Sequence, residues 1–525
     1  MKFLTVEQMR AADQAAINDC DIPGRILMNR AGVSLARFVK SLARLRDINR
    51  IILVAGHGNN GGDTCVAARC LHDDGFSVHV IMTCIPSTLK GDAYNAWDDM
   101  QNGNVSFEVA ASVESWTDSL HLKSASLLNY GIVVDGVLGT DCTDAPRGVA
   151  AEAVRWINSS RPYSLVVSAD LPSGMNGDTG RADGDVVKAD ATVTFAAPKQ
   201  GFCNSEAMPL LGHLTVADIG IPDDFAFKHT ADTEYRLISR PEIERAYRER
   251  SWTAHKGSFG HVCITGGIKT YPNAPVLAAA AAYRSGAGLV TLRSCCDNRG
   301  CALSLVPEAV LRPVSLDDFF VAEDDERSEI CSFESYRVVV AGPGLGCSES
   351  AAVFLRYLLE HFHGCTVLDA DALNLLAQLS ADGYKVRDDC RLVITPHPGE
   401  AARLLQCKVS DVQENRGQAV RELSRKFNAI AVLKGAATLV SDGKSLPWLN
   451  LTGNPGMASG GTGDVLSGVI GGLLAQEIDD ITAVTMGVWV HGYAGDLAWM
   501  CGSQTSLTAS DVILKLSDIY QNIER

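Results

Sequence analysis

The chain has 525 residues, 46% of them hydrophobic and 21% charged, with a net charge of −16. That length exceeds a single core, which stops growing at roughly 250–300 residues, and the acidic balance argues against a broad grip on nucleic acid or an anionic membrane. No apolar run approaches the ~18 residues that span a bilayer, and the 16 cysteines lack a paired CxxC, so they read as reduced thiols in a cytoplasmic protein.

The chain opens on "MKFLTVEQMRAADQAAI", which reads as a helix rather than a signal peptide, with Thr5 and Gln8 in a capping-box pattern. Short β-branched runs follow: "IILVA" (51–55), "SVHVIM" (77–82), "IVVDGVLG" (132–139), "SLVVSAD" (164–170) and "ATVTF" (191–195). Helical patterns separate most of them, which predicts a parallel sheet covered on both faces. Between the first run and its helix lies "GHGNNGGDT" (56–64). Its glycines let backbone approach a ligand, the helix start favours an anion, and the amides and carboxylate add side-chain oxygens. This stretch, "DGVLGT" and "DLPSG" all fall at strand carboxyl ends, where ligands of such sheets bind.

The alternation lapses in a polar stretch near residue 230, the expected domain boundary. A second α/β series follows: "GHVCITGG" (260–267), an Ala-rich helix (274–285), "LVTL" (289–292), "YRVVVAGPGLG" (336–346), "CTVLDADALNLLA" (365–377), "RLVITPHPGE" (391–400), "AIAVLKGAATLV" (429–440) and "GNPGMASGGTGDVLSGVIGGLLA" (453–475). The halves show no repeat, so two different α/β domains are expected, 1–230 and 236–525. In "GGTGDVLSG" the backbone N–H groups of Gly461, Thr462 and Gly463 would meet an anion at a helix start. Asp464 beside them can take a proton from a hydroxyl attacking phosphorus. The plainer alternative is a helix cap, which does not call for so many glycines.

"GGTGD" resembles the anion hole and catalytic Asp of ribokinase-like enzymes. More closely, "HKGSFGHVCITGG", "YPNAPVLAAAAAYRSGAGLVTL", "VAGPGLG", "LDADALNLL", "TPHPGE", "VLKGAATLV" and "NPGMASGGTGDVLSG" resemble, in order, the ADP- or ATP-dependent NAD(P)H-hydrate dehydratase family. "GHGNNGGDT", "VVDGVLGT", "ADLPSGMNGDTG" and "ADATVTFAAPKQG" resemble the NAD(P)H-hydrate epimerase domain. The resemblance implies two three-layer α/β/α domains, Rossmann-like then ribokinase-like, in a bifunctional enzyme. That enzyme would interconvert the R and S epimers of hydrated NADH and NADPH and dehydrate the S form at the expense of ADP or ATP.

Carried onto this chain, the resemblance places Asn59, Asn60, Gly61, Gly62, Asp63, Gly139 and Asp170 on the hydrate in the first domain. It gives potassium to Asn60, Asp135 and Ser173, an oxygen set suited to a hard cation. Asp170 would shuttle the proton of epimerisation. Lys199 reads either as an anion or hydroxyl partner or as a surface lysine. In the second domain Ala274, Gly346 and His397 would line the hydrate pocket, Lys434, Gly435, Ala436, Ala437 and Thr438 would hold the nucleotide with Gly461 and Gly463, and Asp464 would be the base. His397 reads equally as a loop hydrogen-bonder. Mg²⁺ is expected with the nucleotide, without assigned ligands, and the family expectation is a homo-oligomer.

The chain departs from the family at Asn29, where Glu is common, and at Thr64, where Gly often continues the loop. Asn273 also replaces Gly, with an expected tolerance for positive φ. Asp141 replaces a turn Gly, where a carboxylate would weaken pyrophosphate binding. A small-molecule kinase of the ribokinase type, or a first domain that binds dinucleotide without turnover, are the alternative readings.

Overall fold

The computed structural model describes residues 1–118, 131–140, 144–222, 234–294, 299–314 and 333–524. Asp141 lies outside them. The chain divides into two compact units, Met1–Leu237 and Ile238–Arg525. The change falls slightly later than the polar stretch suggests because the N-terminus claims the end of the first unit. Lys2 bridges Arg236, and Met1 and Leu237 exchange backbone hydrogen bonds of 2.8 Å.

The first unit begins with α1 (Val6–Asp19), whose expected capping box forms: Gln8 N donates to Thr5 Oγ1 at 3.1 Å and Thr5 N to Gln8 Oε1 at 2.9 Å. α2 (Gly24–Leu45) buries Leu27, Ala31, Leu35, Val39 and Leu42, a stripe of helical period. Parallel strands follow: β1 (Arg50–Ala55), β2 (Ser77–Met82), β3 (Ser106–Val109), β4 (Gly131–Gly136), β5 (Ser164–Ala169), β6 (Ala191–Phe195) and β7 (His213–Ala217), in the order β3-β2-β1-β4-β5-β6-β7. β4 is buried along its whole length, which is why its sequence is apolar except for Asp135. β3 and β7 are the sheet's edges and are only partly covered. They carry no such run, and the sequence reading misses both.

The strand order reverses between β1 and β4, which opens a crevice beyond their carboxyl ends. α3 (Asn59–Asp73) starts there. The segment expected as a loop, Asn59 to Asp63, is therefore the first turn of a helix. Packing overrides the poor helix propensity of its glycines: a Cβ on Gly61 would lie 2.0 Å from Gly56 O, and one on Gly56 would lie 1.9 Å from Val137 O. Only bare backbone lets the β1 loop, the β4 loop and α3 touch at one point.

The second unit carries a mixed sheet. From Val310–Pro313 the strands run in order through Leu289–Ser294, His261–Thr265, Val338–Ala341, Cys365–Leu368, Arg391–Ile394, Ile430–Leu433, Thr438–Ser441 and Trp448–Asn450. Pairing is parallel as far as Ile430–Leu433 and antiparallel beyond it. "AIAVLKGAATLV" is thus a hairpin of two strands, because Gly435 and Ala437 take positive φ (126° and 57°) and reverse the chain. Helix Ala274–Arg284 backs helix Thr462–Leu474 so closely that a Cβ on Gly468 would lie 2.1 Å from Ala278 O. Asn273 caps the former at φ −94°, so the expected positive φ is not used. No helix among the described residues is long and apolar enough to cross a membrane.

Candidate active sites

In the first unit, Asn60, Asp135 and Ser173 meet although they come from α3, β4 and the loop after β5. Asn60 Nδ2 donates to Leu138 O at 2.9 Å and to Ala169 O at 3.1 Å. Its Oδ1 is buried with no hydrogen-bond partner among the described residues. Ser173 Oγ lies 2.5 Å from Asp135 Oδ1 and 3.2 Å from Leu138 O. Asp135 is fully buried and its partners are neutral donors: Ser168 Oγ, Ser173 N and Oγ, and Val137 N. Burial raises its pKa, and these hydrogen bonds oppose the rise without cancelling it. A cradle holding an orphaned amide oxygen and a buried carboxylate fits a cation bound through oxygen. Among the described residues no group of three His, Cys, Asp or Glu forms a metal cluster, so the oxygens are mixed in type. Gly139 closes the cradle, where a Cβ would lie 3.2 Å from Asn60 Cβ.

Beside it lies a cluster of carboxyls around one lysine. Asp170 directly follows β5 at φ +66°, which turns its carboxylate toward Thr194 Oγ1 (3.2 Å), Phe195 N (3.3 Å) and the Lys199 ammonium. Lys199 is fully buried, so the surface-lysine alternative fails. Its Nζ also donates to Thr194 Oγ1 at 2.9 Å and to the carbonyls of Phe195 and Ala197. Asp13, from α1, and Asp63, from α3, share this field. Burial raises Asp63 well above the usual carboxylate range, and the charges of Asp170 and Asp13 add to it. Asp13 is pushed up to about 6 by burial, against the attraction of Lys199. A carboxyl that keeps its proton beside one held by a lysine is an acid–base pair. Thr64 packs inside the same wall, its Oγ1 donating to Asn60 O at 2.8 Å, while Asn29 is exposed.

In the second unit, helix Thr462–Leu474 begins after Gly461 at φ +92°, and no side chain caps it. Its first amides are open to an anion. Asp464 is the third residue of that helix, not its cap, and its carboxylate accepts no hydrogen bond among the described residues. Burial, then the charge of Asp369, raises its pKa to about 7 against the opposing Lys434. Lys434 Nζ donates to Asp369 Oδ1 at 2.6 Å and lies 3.8 Å from Glu400 Oε2. Burial works against its charge, but those carboxylates outweigh it and raise its pKa. A Cβ on Gly463 would lie 3.5 Å from that Nζ, which brings the helix-start amides, the Lys434 ammonium and the Asp464 carboxylate together. Gly435 to Thr438 form the hairpin turn, with Thr438 Oγ1 donating to Gly435 O at 2.9 Å.

The residues expected around the hydrate are less tightly gathered. Gly346 N donates to Asp371 Oδ2 at 2.8 Å, and Asp371 is one of the charges acting on Asp464. His397 caps helix Pro398–Leu405, Nδ1 accepting from Gly399 N at 3.0 Å, and its Nε2 lies 3.3 Å from Glu400 Oε1. It is the loop hydrogen-bonder of the plainer reading, with an exposed outer edge. Ala274 opens its helix, three residues before the Leu277 side chain that faces Gly461.

The family described as YjeF-related protein N-terminus matches residues 24–201, and the family described as NAD(P)H-hydrate dehydratase matches residues 262–517. The bifunctional NAD(P)H-hydrate repair enzyme of Coxiella burnetii is 36% identical over 96% of this chain and 96% of its own length. Its counterpart in Moorella thermoacetica is 34% identical over 100% and 97%.

The chain belongs to the bifunctional NAD(P)H-hydrate repair enzyme family.

Among solved structures, an ADP/ATP-dependent NAD(P)H-hydrate dehydratase from Bacillus subtilis, co-crystallised with ATP/Mg²⁺, is 27% identical with a TM-score of 0.49, over 56% of this chain and 100% of that one. Within this repair family's frame, sequence reasoning misses Asp13, Thr194, Asp369, Asp371, Glu400 and Arg416. Arg416 braces the Gly435–Thr438 turn, its Nη2 donating to the carbonyls of Leu433, Lys434 and Ala437, each at 3.3 Å. Asp369, Asp371 and Glu400 sit inside quoted motifs, and an acidic residue at a strand end or helix start is a readable signal. Asp13 sits in an Ala-rich helix and gives none.

Proposed function

We propose that the first unit epimerises hydrated NADH and NADPH at the Asp170–Lys199 cluster, and that the second dehydrates the S epimer with ADP or ATP at Asp464. The observation that carries this reading is Asp464: a carboxylate that accepts no hydrogen bond among the described residues, beside a glycine-rich helix start, with a pKa raised to about 7. An acid so placed is a base for a hydroxyl, not a structural cap. The C6 hydroxyl loses its proton to Asp464 as its oxygen bonds the terminal phosphorus of the nucleotide, while the phosphoanhydride bond breaks and its electron pair leaves on AMP (from ADP) or ADP (from ATP). The amides of Gly461 and Gly463 stabilise the transferring phosphoryl. Phosphate then leaves C6 with the bonding pair, C5 loses a proton, and the C5–C6 double bond returns.

In the first unit the ring nitrogen's lone pair assists loss of the C6 hydroxyl, which leaves as water after taking a proton from the carboxyl cluster. Water adds back to either face and gives its proton to a carboxylate. Asp63, whose pKa burial raises, and Asp170, paired with Lys199, suit the two roles. Asn60 Oδ1, Asp135 and Ser173 would hold potassium, which supplies fixed positive charge for the dinucleotide's phosphates. Mg²⁺ would arrive on the nucleotide, since this ion keeps few protein ligands and relies on phosphate oxygens. The free cysteines suit a reducing compartment such as the cytoplasm.

Incubating the chain with mixed hydrate epimers and ADP tests the reading, followed at the reduced-nicotinamide absorbance. Complete recovery is expected, whereas recovery of nothing would leave a kinase of another substrate. The cation arm has its own check. Exchanging potassium for a large organic cation should slow epimerisation and lower the first unit's melting temperature, with both restored by potassium. Asp135→Asn should lose that potassium dependence, and equal rates and melting temperatures in both salts would remove the ion from the site.

A further inference from the structure

Helix Asp480–Cys501 is buried behind the second unit's phosphate loop, and no step above uses it. It nevertheless touches that loop at both ends. At the near end Asp496 is fully buried, with Oδ2 accepting from Gly453 N at 2.9 Å and Oδ1 from Asn454 Nδ2 at 3.1 Å. At the far end His491 Nε2 lies 2.9 Å from Thr462 O. A carbonyl only accepts, so Nε2 carries the hydrogen. Between them the helix has glycines where the loop presses on it: a Cβ on Gly492 would lie 2.2 Å from Thr452 Oγ1, and one on Gly495 would lie 2.2 Å from Met457 Sδ.

The His491 contact bears on the chemistry through one peptide unit. The carbonyl of Thr462 and the N–H of Gly463 belong to the same plane. A donor fixed on that carbonyl fixes the direction of the N–H on the other side and polarises it. We infer that His491 is a positioning residue that aims the Gly463 amide at the transferring phosphoryl, with Asp496 anchoring the loop's other end. This rests on the reading that Gly461–Gly463 form the anion hole. His491 stays neutral in this role, since burial pushes its pKa down to about 4.

The test compares His491→Leu, which removes the donor, with His491→Gln, which restores an N–H near the Nε2 position. Dehydration kcat, the KM for ADP, ADP-binding stoichiometry and the ³¹P resonance of bound ADP are read for each. In His491→Leu, kcat should fall at least about tenfold, less than the ~100-fold or more for losing an oxyanion donor outright. Stoichiometry should hold, KM should stay within about threefold, and the β-phosphorus resonance should move toward that of free ADP. His491→Gln should recover most of kcat. A merely structural histidine would lower melting temperature but leave kcat per ADP-binding site unchanged, and that result overturns the inference. If His491→Leu fails to fold, Asp496→Asn carries the test, with the same split of kcat from KM expected and an unchanged kcat overturning it. A wild-type chain that shows no ADP-dependent dehydration sinks the underlying reading instead, a different result from either variant's.

Discussion

Asp464→Asn should lower ADP-dependent dehydration at least ~100-fold, the lower range for losing a general base, while epimerisation and nucleotide binding should persist. The same substitution stabilises the nucleotide-free second unit at alkaline pH. Burial and the charges of Asp369 and Asp371, opposed by Lys434, hold Asp464 at about 7 against an ordinary value of 3.8. The folded state therefore binds this proton more tightly than the unfolded chain does. Its contribution to stability is complete below pH ~4 and is lost as pH rises to about 7. At 1.36 kcal/mol per pKa unit the loss is on the order of 4 kcal/mol. Asn cannot ionise, so the variant should melt above wild type at pH 8 and the gap should close toward pH 4. The wild-type dehydration rate should rise with pH through about 7, as the base ionises. Near-normal dehydration by the variant would reduce Asp464 to an acidic residue in a helix's first turn.

Asp170→Asn should abolish R-to-S conversion and spare dehydration of the S epimer. Asn accepts the positive φ at this position, so the backbone has no reason to change. The side chain does: Lys199 is fully buried and loses the ion pair with Asp170, keeping Thr194 Oγ1 and two carbonyls. Stripping a buried ion pair of one member typically costs about 3–5 kcal/mol. A lower melting temperature thus follows whether or not Asp170 moves a proton, and it decides nothing. The deciding quantity is epimer exchange in the folded variant, measured by NMR. Exchange at the wild-type rate would take Asp170 out of the mechanism and leave it as the counter-ion of Lys199.

Both outcomes depend on features that were unequally legible in the sequence. The central parallel strands were readable because burial on both faces forces continuous apolar runs, as in Val338–Ala341. The edge strands Ser106–Val109 and His213–Ala217 carry no such signature, since partial exposure relaxes it. The glycines of 56–62 were legible as a special junction, but not as part of a helix, because only the approach of Gly56 to Val137 and of Gly61 to Gly56 explains them. Lys199 reads as a surface residue or a ligand partner with equal ease. Its burial comes from long-range contacts, including Leu4, which bridges it from the N-terminus. Asp13 was invisible for the same reason: its meaning lies in Lys199, far away in sequence and close in the fold.

Complementation in trans tests most directly the claim that one chain carries two independent reactions. Asp464→Asn alone, given mixed hydrate epimers and ADP, should return almost no reduced nicotinamide. Asp170→Asn alone should return the S fraction and then only what spontaneous epimerisation supplies. The two variants mixed in one vessel should recover the whole hydrate pool, because the first supplies S epimer to the second through solution. A mixture that stops at the S fraction would show that Asp464 and Asp170 do not serve separate sites, and would contradict the assignment of one reaction to each unit.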